Sequence, residues 1–217
     1  MDPRDEILLA AGRLFAEHGY ERTTTGDIAE EVGLTQPAIF YHFDSKEQLF
    51  HELANTTVDE PLAELEAIAA TEASPAAQLH RQIVFHVVHD LTSPFPMAAI
   101  VDDALRLSRD GGLEELIDKS ARYANGVRQM IRDGIAVDQF RDVNEFTAAM
   151  AVLGMCNWAL RWYRPSETLT AQRLGEDFAD FSVVALLVKP RTLSKVIRES
   201  QALVGIREAG TAARETA

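Results

Sequence analysis

The chain is 217 residues long, 47% hydrophobic and 25% charged, with a formal net charge of −13. That length and apolar content fit one or two folded domains and exclude an intrinsically disordered chain, and the acidic balance excludes a general nucleic-acid coat protein. A lone cysteine, Cys156, excludes an internal disulfide and fits a reducing compartment.

The start, Met1-Asp-Pro-Arg-Asp-Glu, lacks the basic end and apolar core of a signal peptide. The uncharged apolar run from Phe146 to Leu160 is shorter than the roughly 20 residues that span a bilayer. The expectation is a cytoplasmic protein without a membrane partner, in which the glycosylation-like triplet Asn55-Thr56-Thr57 has no role. Charge is uneven: residues 1–50 carry four bases (Arg4, Arg13, Arg22, Lys46) against ten acids, whereas residues 189–217 carry six bases against three acids.

Helix-start and helix-stop signals recur along the chain and strand patterns are nearly absent, so the expected fold class is all-α. Asp2 caps a first helix with Pro3 in its first turn, and Gly19 stops it. A second helix spans about Thr25 to Val32 and ends at Gly33. A third spans Gln36 to Phe43, with Thr35 as cap. Ser45 caps a long fourth helix, and Gln48 completes a capping box. This fourth helix ends near Ala70, with Pro61 inside it. Ser74-Pro75 starts a fifth helix, Ser93-Pro94 breaks to a sixth, and Asp110-Gly111-Gly112 precedes a helix through about Val137. Asp142–Arg161 and Leu169–Leu187 are the last strongly apolar segments, and Lys189-Pro190 ends the compact part. The expected domains are an N-terminal three-helix helix-turn-helix head (1–46), a C-terminal helical body (47–188), and a basic tail (189–217), partly helical or disordered.

The second and third helices with their glycine turn have the layout in which a recognition helix enters the DNA major groove. On a helical wheel Ile39 and Phe43 fall together and face a core of Leu14, Phe15, Ile28 and Val32. Ala38, Tyr41 and His42 are assigned outward, with Thr35 and Gln36 at the leading end. Gln pairs bidentately with adenine, Ala fits a thymine methyl, and Tyr and His reach phosphates. Thr24, Thr25 and Lys46 stand at helix N-termini, where phosphate is favoured. Taken singly, the threonines are also ordinary helix caps.

The pattern Phe15…Gly19-Tyr20…Thr24-Thr25…Ile28-Ala29…Gly33-Leu34-Thr35…Ile39-Phe40-Tyr41-His42-Phe43…Ser45-Lys46-Glu47…Leu49 resembles the head of the TetR family of transcriptional regulators. The resemblance implies an all-helical homodimer, usually a repressor, that binds a palindromic double-stranded DNA operator and carries a separate ligand-binding body. It places DNA contacts at Thr24, Thr35, Gln36, Ala38, Tyr41, His42 and Lys46. The family usually has Tyr where this chain has Phe40, so Phe40 is left out of the expected DNA face.

The body carries no hydrolase, Walker or zinc-protease motif, so no enzyme activity, catalytic residue or cofactor is expected. The alternative is a helical metal-dependent enzyme built on His80, His86 and His89, with Asp90, Asp102 or Asp103 nearby. A fully packed body with no ligand is a third reading. Candidate residues for a small apolar effector are Phe85, His89, Phe95, Met97, Arg106, Tyr123, Met130, Met155, Trp158 and Trp162, which equally suit a core. The stretch Trp158-Ala-Leu-Arg-Trp162-Tyr-Arg-Pro165 is similar to TetR regulators of fatty-acid and steroid breakdown in actinobacteria, some of which respond to acyl-CoA. That resemblance makes Arg106, Arg109, Arg161 and Arg164 candidates for an acyl-CoA's phosphates. Leu153, Arg161, Phe178, Phe181, Val184 and Leu187 form the expected dimer interface, a two-fold helical seam.

Overall fold

Local capping chemistry defines the first helices. Asp2 accepts from the Arg4 N–H and opens α1, Pro3–His18, which stops where Gly19 takes a positive φ of 84°. Thr24 and Asp27 make a reciprocal capping box at the start of α2, Thr25–Glu31, and Gly33 (φ 67°) turns the chain into α3, Gln36–His42. Ser45 Oγ accepts from the Gln48 N–H at 3.0 Å as α4, Lys46–Ala69, begins. The Gln48 side chain reaches the Asp44 N–H rather than that of Ser45, so the expected capping box is displaced by one residue.

The computed structural model describes residues 2–93, 95–107 and 113–204. The remaining helices are α5 Pro75–Thr92, α6 Met97–Leu107, α7 Glu114–Ala136, α8 Glu145–Trp162, α9 Ala171–Leu186 and α10 Leu193–Gln201, the last after a 3-10 turn at Pro190–Thr192. Among the described residues the β pairing consists of one isolated bridge, Phe140–Leu187, so the chain is all-α. Pro94, Arg109, the break at Asp110-Gly111-Gly112 and the tail from residue 205 lie outside the described residues.

The chain divides into two compact units, Met1–Asp59 with Ser93–Lys119, and Glu60–Thr92 with the residues from Ser120 onward. In the first, Ile7, Ala11 and Phe15 of α1, Ile28 and Ala29 of α2, Ile39 of α3, Phe43, and Leu49 and Phe50 of α4 are buried. Phe15, Tyr20 and Phe50 form an aromatic cluster with ring centroids 4.7–5.4 Å apart. Arg4 makes a two-pronged ion pair with Glu52 and lies over the Phe43 ring at 4.7 Å. Lys46 is a second tie, since its ammonium donates to the Tyr20 and Thr23 carbonyls at 2.9 and 3.0 Å. This fixes the start of α4 to the α1–α2 turn.

In the second unit α5 is the central helix, and most of its residues are buried. A Cβ added at Gly175 of α9 would stand 3.1 Å from the Val84 carbonyl oxygen and 3.3 Å from its Cα, so glycine permits the close approach of α9 to α5. Contrary to the sequence expectation, the chain after Lys189-Pro190 remains part of this unit as far as Leu203. Val196, Ser200 and Leu203 are buried, and the Glu199 carboxylate accepts from the Ser74 N–H and hydroxyl at 2.7 and 2.8 Å. His80 joins three helices, with Nε2 on Asp180 of α9 (2.9 Å) and Nδ1 on Ser200 of α10 (2.8 Å).

Candidate nucleic-acid interface and body sites

The short α3 is held by Ile39 and Phe43, both almost fully buried, and the turn geometry leaves its other side open. Tyr41 is 86% exposed, with its ring edge-on to His42 at 5.1 Å, and Thr35 and Gln36 are also exposed. Thr35 occupies the cap position but makes no side-chain cap bond, which leaves its hydroxyl out of the capping role expected of it. Gln36 Nε2 donates to Thr25 Oγ1 at 2.9 Å. That bond fixes the carboxamide and leaves Oε1 and the second Nε2–H for recognition.

Ala38 and His42 are half-buried rather than fully outward. The reason is angular: at about 100° per residue, His42 lies only about 60° from Ile39, near the core side of the helix. Phe40, omitted from the sequence reading, is 46% exposed. It lies about 100° from Ile39, a wheel position equivalent to that of Ala38, and this signal was available in the sequence. The Thr24 hydroxyl and N–H are both engaged by Asp27, whose carboxyl is held below its ordinary range by those bonds. Thr25 is buried and acts through Gln36.

The four bases of residues 1–50 all have internal partners: Arg4 has Glu52, Arg13 has Glu31, Arg22 has the His18 carbonyl, and Lys46 has two carbonyls and the Tyr20 ring at 4.1 Å. The expected phosphate contact at Lys46 therefore has two of its three N–H donors already committed to holding the fold. Hydroxyls, the tyrosine and backbone N–H groups are the donors the α3 face offers.

The expected effector residues do not gather in one described cavity. Phe95, Met97 and Arg106 belong to the first unit, where Phe95 packs on Gly12 and exposed Arg106 pairs with Asp103 at 2.6 Å. The other seven belong to the second unit. Phe85 and His89 stack at 5.4 Å and are half-buried, as is Met155; Tyr123 and Met130 are buried. Trp158 (61% exposed) and Trp162 (43%) stand on the surface of α8 and are corrected from pocket lining to exposed face. An apolar groove of 390 Å³ between α8 and α9 is lined by Val152, Met155, Phe181 and Ala185 among others.

The most ordered polar feature of the body runs between α5, α7 and α8. Gln82 Nε2 lies 2.8 Å from the Tyr123 hydroxyl, which lies 2.7 Å from His86 Nδ1, and His86 Nε2 lies 2.9 Å from Asn157 Oδ1. Burial lowers the His86 pKa and raises that of the Tyr123 phenol, so both stay neutral near pH 7. The buried Cys156 thiol is pushed up to about 12, mainly by burial.

This bonding removes the histidine metal set. Both ring nitrogens of His80 and of His86 have separate partners, and His89 faces Glu60 and Asp90 at 3.7 and 3.5 Å. Among the described residues no three His, Cys, Asp or Glu side chains are grouped to hold a metal ion.

Of the expected dimer residues, Phe181, Val184 and Arg161 are exposed, and Leu153 and Phe178 are half-buried. Leu187 is buried at the bridge to Phe140 and is not available at the surface. Its place on the exposed apolar face is taken by Trp158 and Trp162, with Arg161 over the Trp158 ring at 5.5 Å and Phe178 6.3 Å from Trp162. Arg164 is exposed and bonds the Tyr163 carbonyl.

Residues 7–53 match the family of bacterial regulatory proteins described as the tetR family, and residues 72–186 match the tetracyclin repressor-like C-terminal domain. The transcriptional repressor KstR2 of Mycobacterium tuberculosis is 28% identical over 178 residues, 81% of this chain and 88% of its own length. The solved structure of this ketosteroid transcriptional regulator superposes with a TM-score of 0.74 at 26% identity over 86% of this chain and 95% of that one. The repressor AcnR of Corynebacterium diphtheriae is 55% identical over 51 residues, 24% of this chain and 27% of its own length. The structure of AibR with isovaleryl coenzyme A and operator DNA superposes with a TM-score of 0.72 at 24% identity, over 86% of this chain and 98% of that one.

Proposed function

Because the chain belongs to the tetR family of bacterial regulatory proteins, we propose that it is a transcriptional repressor that binds a palindromic operator as a homodimer and is released by a small apolar effector held in the body. The observation that carries this reading is the α3 face: Thr35, Gln36, Phe40 and Tyr41 exposed together on a helix whose other side is locked into a packed core. Gln36 and Phe40 supply base-edge contacts, and Tyr41 and Thr35 supply phosphate contacts. Thr24, Thr25 and Lys46 act one step back by fixing α2, Gln36 and α4. Ala38 and His42 border the face.

The homodimer forms through the exposed apolar face of α8 and α9, centred on Trp158, Trp162, Phe181 and Val184. A dimer sets two recognition helices one or more helical turns of DNA apart, about 34–36 Å or a multiple, which matches a pseudo-palindrome. The effector acts by binding more tightly to a head spacing that misfits the operator; a hundredfold release requires about 2.7 kcal/mol of coupling. The effector class suggested by the relatives is an acyl thioester or a steroid: AibR is seen with isovaleryl coenzyme A, and KstR2 is named for ketosteroids. We place the protein in the cytoplasm, where both DNA and such thioesters are found.

Selection of bound duplexes from a random library tests the reading. The expected result is one enriched inverted repeat, bound at least a thousandfold tighter than random DNA, by a species that sediments as a dimer. Enrichment of no sequence, or equal affinity for random duplex, would overturn it. Phe181→Glu is expected to yield monomers with weakened operator binding.

A further inference from the structure

The polar chain in the body ends on an atom without a partner, and the direction of its bonds fixes what that atom requires. Gln82 is 1% exposed and its Oε1 is buried with no hydrogen-bond partner. The proton on His86 sets the direction. Its Nε2 lies 3.7 Å from the buried Asp90 carboxylate, which favours a proton on that nitrogen, and Nε2–H then donates to Asn157 Oδ1. Nδ1 is left as an acceptor and takes the Tyr123 O–H. The tyrosine oxygen in turn accepts from Gln82 Nε2. The four side chains are thereby bonded in one sense, and Gln82 Oε1 at the end of the chain is a buried acceptor with no donor.

A buried acceptor left without a donor costs about 1–3 kcal/mol. Tyr123, His86 and Gln82 hold one another in place, so the carboxamide cannot rotate to escape without breaking the chain. The buried residues of α5 and α7 include the apolar Leu79, Ile83, Val127, Met130 and Ile131 as well as the polar Gln78, His80 and Asp90. We propose that Gln82 is the polar anchor of the effector site and that it takes a hydrogen-bond donor, a hydroxyl or amide N–H, carried on an otherwise apolar molecule. This rests on the reading of the body as an effector domain and narrows it. A bare acyl chain or a ketone offers nothing to Gln82, whereas a hydroxylated acyl chain or ring alcohol completes the network. The mechanism of discrimination is the unpaired acceptor itself, because an isosteric ligand that presents a second acceptor sets two oxygens against each other.

Two shape-matched pairs test this on the full chain by titration calorimetry: menthol against menthone, and cyclododecanol against cyclododecanone. The alcohol of each pair is expected to bind at least tenfold more tightly than its ketone. Gln82→Met, which keeps the volume and removes the acceptor, is expected to bring that ratio to near one. Tyr123→Phe, which removes the group holding the carboxamide, is expected to lower it. The proposal is overturned if the ketones bind as well as the alcohols, if the preference survives Gln82→Met, or if no member of either pair binds at millimolar concentration. The wild-type ratio needs no variant, so a misfolded mutant does not blunt the test. Operator selection on the same preparation separates the two readings. A chain that binds its operator and is released by a molecule without a donor refutes only the Gln82 anchor, whereas a chain that selects no operator refutes the parent reading.

Discussion

In the head, polar groups close on one another. The buried Thr23 hydroxyl bonds the Leu14 and Gly19 carbonyls, Thr24 and Asp27 satisfy each other, and Lys46 is bound between two carbonyls and a ring. In the body, the chain through Asn157, His86, Tyr123 and Gln82 is as well ordered but ends on an unpaired acceptor. The difference assigns roles. Among residues 2–46 no buried side-chain polar atom lacks a partner, so the head is a frame that presents one small face, as recognition of a fixed double helix requires. A body with an incomplete buried network has a reason to respond to a molecule that completes it.

The sharpest way to break this comparison is at the recognition face. Gln36→Ala with Tyr41→Ala is expected to weaken operator binding by about a hundredfold, close to 2.7 kcal/mol, by mobility shift. Tm should fall by no more than about 2–4 °C, because Tyr41 is 86% exposed and Gln36 gives up one hydrogen bond to Thr25. A large fall in Tm would mean that the face is structural.

The body is expected to respond in the opposite way. Gly175→Val forces a side chain against Val84 backbone atoms that cannot move aside, and overpacking of this kind costs about 1–3 kcal/mol. At this chain length that corresponds to a Tm lower by roughly 2–12 °C. An unchanged Tm would show that α5 and α9 are less tightly apposed than described.

Lys46→Met separates strut from phosphate contact. As a strut, its loss destabilises the head by about 1–2 kcal/mol and leaves the salt dependence of operator binding nearly unchanged. As a phosphate contact, its loss would flatten the log–log salt slope by about one per head.

The smallest expected effect is on the acid side. His86 has its pKa lowered by burial, so the unfolded chain takes up a proton that the folded chain refuses. Stability should therefore be intact above the unfolded histidine value, about 6.5, and should fall as pH drops below it, by at most about 1.4 kcal/mol per pH unit. His86→Gln should flatten that fall in urea titrations between pH 6.5 and 5.5; an unaltered fall would assign it to other groups.

The ends of α1 and α2 and the start of α4 were legible because caps act within four residues: Asp2, Gly19, Thr24 and Ser45 each bond a near neighbour. Partner choice across the chain was not. Nothing local to Lys46 reveals the Tyr20 carbonyl 26 residues away, and nothing local to Ser200 reveals His80. The same holds for Trp158 and Trp162. Large aromatic residues in an apolar helix read as core, and only the side on which α8 meets α5 decides that they face outward. Leu187 is the converse, an apolar residue near the surface segment that the bridge to Phe140 draws inward.

The position of Cys156 has a practical consequence. Its thiol is 2% exposed and ionises only near pH 12, so at pH 8 a thiolate-seeking reagent reacts only with chains in which the body has opened. The rate of alkylation therefore counts openings of the body in time, with no added probe. Any molecule that settles between α5, α7 and α8 is expected to slow that clock in proportion to its occupancy. A reagent that modifies Cys156 at the speed of a free thiol would mean that the body breathes freely without a ligand.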